Sequence, residues 1–67
     1  MSAEFSKAVL AVLGEDPQEP TDEAHEVCDC ALIHRAEYGI SEDMARPGNE
    51  TFEEFVRMIQ TDVRSRG

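Results

Sequence analysis

Phe52, Phe55, Val56, Ile59 and Val63 recur at steps of three and four residues. A strand would throw such residues onto both of its faces. A helix gathers them onto one, so the end of the chain is committed to a helix with a single apolar stripe. Two earlier stretches repeat the pattern. Phe5, Val9, Val12 and Leu13, with Ala8 and Leu10 beside them, make one stripe. Ala24, Val27, Cys28, Ala31, Leu32 and Tyr38 make another at about 100° per residue. Arg35 falls on that same side, where its stem is expected to pack while its head reaches water. Nowhere does apolar and polar alternate with period two for long enough to make a strand.

The punctuation between these stripes is equally specific. Ser2 is the expected N-cap of the first helix, with Glu4 in its first turn, and Gly14 stands at the C-terminal glycine position. The connection EDPQEP has two prolines and no apolar residue. Thr21, followed by Asp22 and Glu23, reads as a cap with first-turn acids. Gly39 ends the second helix, and Ile40 occupies the apolar position of a Schellman motif. In the linker SEDMARPGN, Ser41 is suited to start one helical turn, and Arg46-Pro47-Gly48-Asn49 has the residues of a type II turn. The third helix is expected to begin near Asn49 or Thr51, with Thr51 to Glu54 as a capping box. Glu53 and Arg57 form an i,i+4 pair in the favourable order. Arg64 and Arg66 lie where cations suit the dipole. The reading is all-α: a small three-helix bundle with helices at about 3–13, 22–38 and 51–65, a short helical turn near 41–45, and a single domain over 1–67.

Length limits what such a bundle can do. A chain of 67 residues with three Phe, one Tyr and no Trp builds a thin core. Its expected state is a monomer or a homodimer, with stability open to reinforcement by a partner. Charge limits it further. The formal net charge is −9, and residues 15–54 carry thirteen acids against Arg35 and Arg46, a local net of −11. That field repels nucleic acid and anionic membranes and favours a protein partner with a basic surface. Direct nucleic-acid binding is disfavoured, because the second helix exposes acids where a recognition helix needs bases or amides. No apolar run approaches the ~18–20 residues of a membrane span, so no membrane role is expected. MSAEFSK lacks the basic start and apolar block of a signal peptide, which makes the cytoplasm the expected location and the cysteines free thiols.

EVCDCALIHR, Glu26 to Arg35, is the one stretch dense in chemical groups. On a helix, Cys28 and Cys30 point about 200° apart, so they neither share a metal ion nor bond to each other. Cys30 and His34 stand at i,i+4, but two ligands do not complete a structural zinc site. Cys28 is expected inside the bundle as a small apolar residue, and Cys30 partly exposed. Their neighbours Glu26 and Asp29 carry the wrong charge to activate a thiol. No phosphate loop, nucleophile elbow or calcium loop is present. The expectation is therefore no metal, no cofactor and no catalytic residue.

The outer face of the second helix is the more informative surface. Asp22, Glu26, Asp29, Ile33 and Glu37 cluster within about 80° on the helical wheel, with Ile33 central and opposite the apolar stripe. An apolar anchor among carboxylates suits a basic partner with a hydrophobic spot. Met58, off the main stripe of the third helix, is a second candidate contact. The expected function is a small acidic protein–protein interaction module. Its sharper form is a DNA-mimic inhibitor that docks on a basic nucleic-acid-binding protein. In size and charge alone, the chain is like the small acidic inhibitors of phages and mobile elements. The alternative is a structural or assembly subunit that oligomerises through an apolar helix face.

Overall fold

The computed structural model describes residues 2–66. It contains three α-helices and one short 3₁₀ turn: α1 (Ser2–Leu13), α2 (Asp22–His34), η1 (Glu42–Met44) and α3 (Glu50–Arg66). No strand occurs among the described residues. The chain is a three-helix bundle, as its periodicity requires. The principal extents of 28 × 24 × 20 Å leave room for a single interior layer of side chains.

That layer is made by the three stripes. Phe5, Val9, Val27, Phe52 and Val56 are its largest fully buried side chains. Phe5 and Phe52 meet edge to face, with centroids 5.7 Å apart, and so join α1 to α3 at the centre. Val12, Leu13 and Leu32 pack on the rim of this cluster, half-buried. Small residues, Ala24 and Ala31, let α2 approach both neighbours closely.

Helix ends follow local chemistry. Thr21 Oγ1 accepts the Ala24 backbone N–H at 3.2 Å. After α1, the Glu15 N–H donates to the Leu10 carbonyl and the Gly14 N–H to the Ala11 carbonyl, with Gly14 at φ 75°. That pair of bonds is a Schellman motif, and its left-handed residue favours glycine. The expected capping by Ser2 falls outside the described side chains.

Two expectations need correction here. The regular α2 stops at His34, not at Tyr38. Residues 35–39 continue as tighter turns, with the Glu37 N–H donating to the His34 carbonyl. The Schellman bonds then close this extension: the Ile40 N–H to Arg35 and the Gly39 N–H to Ala36. Tightening turns Tyr38 onto Phe55, with centroids 5.4 Å apart, and Ile40 is buried. The second correction concerns α3, which is capped by Asn49 and not by a Thr51 box. Asn49 Oδ1 accepts the Phe52 N–H at 3.0 Å, and Glu53 reaches back to the Gly48 N–H at 2.9 Å. Gly48 at φ 97° and the Asn49 N–H bond to the Arg46 carbonyl form the turn that delivers Asn49 to this position.

Candidate functional site

Cys28 and Cys30 occupy opposite sides of α2. Cys28 faces α1, its sulfur 3.8 Å from the Ser6 carbonyl oxygen. Burial, with the charge of Asp29 second, pushes the Cys28 thiol up from its ordinary pKa, so it is neutral at neutral pH. Cys30 faces α3 and is buried, contrary to the partial exposure expected of it. The reason is tertiary: Arg66, in the last turn of α3, reaches back and places Nη1 3.5 Å from the Cys30 sulfur. His34 turns instead to Glu37, its Nδ1 3.3 Å from Oε2. Both thiols are free. Among the described residues, no three His, Cys, Asp or Glu side chains converge into a metal-binding group.

Arg35 also departs from expectation. Its guanidinium lies over the Phe5 ring, 5.0 Å from the centroid, so that only part of the side chain, one-third exposed, reaches water. One of its nitrogens stands 3.6 Å from a Glu42 carboxylate oxygen. Arginine is thus part of the lid on the core between α2 and η1.

The outer face of α2 has a different character. Asp22, Glu26, Asp29, Ile33 and Glu37 are all exposed, and Ile33 is 71% exposed. Among the described residues no ion pair engages Asp22, Glu26 or Asp29, and Glu37 is held only by His34. One border of this face is cationic. Asp22 and Glu26 line a hollow with Arg64 and Arg66. Those arginines are already engaged: Arg64 Nε is 3.0 Å from Glu23 Oε1, and Arg66 pairs with Asp62 at 2.6 Å. The hydrogen bond from Arg64, opposed by partial burial, holds the Glu23 carboxyl below its ordinary pKa.

No protein family, curated protein or solved structure matches this chain.

On the other flank, Met58, a candidate contact from the sequence, is joined by Tyr38, which the sequence pattern places inside. Tyr38 is 51% exposed and Met58 43% exposed. With Ile40 and Phe55 they line a groove of about 480 Å³ between the turn 35–40 and α3, edged by Glu54 and Arg57. The helical wheel of α2, continued past His34, places Tyr38 on the interior stripe. The tightened turn after His34 moves it from that stripe to the rim. No helix of the described residues is long and apolar enough to cross a membrane.

Proposed function

We propose that this chain is an acidic protein–protein interaction module that docks on a basic surface through the outer face of α2. The carrying observation is Ile33, exposed among Asp22, Glu26, Asp29 and Glu37, three of which have no intramolecular ion pair among the described residues. Exposed carboxylates that no ion pair engages keep much of their field for a partner. An apolar side chain at their centre supplies the desolvated contact that charge alone lacks.

The favoured partner class is a nucleic-acid-binding protein. Asp22, Glu26 and Asp29 span about 10 Å of helix axis. One charge per roughly 5 Å approaches the single-strand spacing of one phosphate per ~3.4 Å. A cleft built for phosphates would accept such a row. Two thiols that stay free also suit a reducing compartment such as the cytoplasm.

The test is affinity capture from the cells that express the chain, at low and moderate salt, with identification by mass spectrometry. Wild type is expected to retain a basic protein at low salt and to release it as salt rises. Glu26→Lys with Asp29→Lys is expected to weaken retention at least tenfold while the circular dichroism spectrum is unchanged. Undiminished capture by the double variant overturns the proposal, as does affinity insensitive to salt. Competition by duplex DNA for the same partner supports the nucleic-acid-binding class, and simultaneous binding of DNA excludes it.

A further inference from the structure

The apolar groove beside Tyr38 does not stand alone. A second hollow of about 310 Å³ shares Tyr38 and Met58 with it and continues along α3 past His34, Glu37 and Asp62. Together they form a trough between the turn 35–40 and α3. Of the large apolar side chains exposed among the described residues, Tyr38 and Met58 line it. Its floor is firm: Phe55 and Ile59 are buried residues of the core, and Tyr38 rests on Phe55.

The charge around the trough selects an occupant. Arg57 is paired with Glu53 and Arg66 with Asp62, so these rim charges cancel in pairs. Glu54 at one end and Glu37 at the other remain; no ion pair among the described residues engages Glu54, and only His34 faces Glu37. The trough is thus apolar along its middle and negative at both ends. A second copy of the chain, at −9, would bring like charge to like charge. A helix with a narrow apolar stripe flanked by Lys or Arg meets every part of it. Methionine on the wall suits such a contact, because its unbranched side chain adapts to the residue that enters.

We infer that this trough binds an amphipathic basic helix of the partner, with apolar residues on Tyr38 and Met58 and its cations on Glu37 and Glu54. The inference rests on the basic-partner reading above and adds to it a second contact, continuous with the α2 face through Glu37. The partner is then gripped at two places, by charge along α2 and by an apolar stripe along α3.

The experiment uses the whole chain, isotope-labelled for NMR, and a synthetic Lys/Leu peptide of about 18 residues, five helical turns. Its leucines are spaced three and four apart. The control is a peptide of identical composition whose scrambled order has no apolar face. The amphipathic peptide is expected to shift the Met58 methyl and Tyr38 ring signals, and Met58→Lys is expected to weaken it about tenfold. The scrambled peptide is expected to shift only backbone amides of Asp22 to Asp29. If both peptides shift only that α2 face, the trough is not a binding site and the basic-surface reading survives. If neither peptide shifts any signal at low salt, both readings fall. If the Met58 and Tyr38 signals move with protein concentration alone, the occupant is a second copy and the inference is overturned.

Discussion

The two sides of α2 are both acidic in sequence, and the fold uses them in different ways. On the side toward α3, Glu23 is held by Arg64 and Gln60, and Cys30 lies beneath Arg66. On the outer side, Asp22, Glu26 and Asp29 have no ion pair among the described residues. One set of polar groups ties helices together. The other keeps its charge for whatever approaches. A net charge alone does not separate these roles, because it counts a paired carboxylate and an unpaired one alike.

The largest contrast is in packing. Phe52→Ala removes a fully buried ring and its edge contact with Phe5, and is expected to cost about 3–5 kcal/mol. In a domain this small, that loss is a large fraction of the total stability. Ile33→Ala on the outer face is expected to change stability by less than about 0.5 kcal/mol. Urea titration of both variants measures the difference. An Ile33 variant that unfolds early would show that the outer face is structural.

Next in size is a matched pair of neutralisations on one helix. Glu23→Gln and Glu26→Gln each remove one negative charge, less than one turn apart. Glu23→Gln is expected to lower the melting temperature, because the charged bond to Arg64 is lost. Glu26→Gln is expected to leave it unchanged or raise it, because only self-repulsion is removed. The pH dependence sharpens this. Folding lowers the Glu23 pKa, so the pair stabilises fully above the carboxylate's unfolded pKa and the gain is lost as pH falls through the folded value. The melting difference between wild type and Glu23→Gln should therefore shrink on acidification below the ordinary carboxylate range. Equal melting temperatures at neutral pH would remove the distinction between the two sides.

The smallest effect is that of salt on the isolated chain. Screening weakens repulsion among the unpaired acids more than the short internal pairs, so moderate salt is expected to stabilise the fold by on the order of 0.5 kcal/mol. Partner binding should move the opposite way. Melting curves and binding curves taken over one salt series compare the two directly, and a parallel trend would contradict the proposed division of charge.

Most of the fold was legible because its signals are local. The stripes of α1 and α3, the glycine at position 14 and the cap at Thr21 are set by neighbours within a few residues, and periodicity reports them. The choice of Asn49 over Thr51 as the cap of α3 was less legible. Both have suitable side chains, and only the turn through Gly48 decides which one reaches an unpaired N–H. The candidate surface was half legible: the wheel placed Ile33 and its acids on the outside, but it also carried Tyr38 into the interior.

The amino-acid order by itself determined that the chain is helical, that three apolar faces must meet, and that the two cysteines diverge. Each of these is a consequence of a 3.6-residue period acting on neighbours in the chain. Tertiary structure alone decided which charges are consumed and which stay available. It brought Arg64 to Glu23 and Arg66 to Cys30 across roughly forty positions of sequence. It also opened the trough beside Tyr38, because the turn after His34 is shaped by contact with Phe55 and by the burial of Ile40. Those contacts depend on how helices cross, and no pattern along a single helix records that.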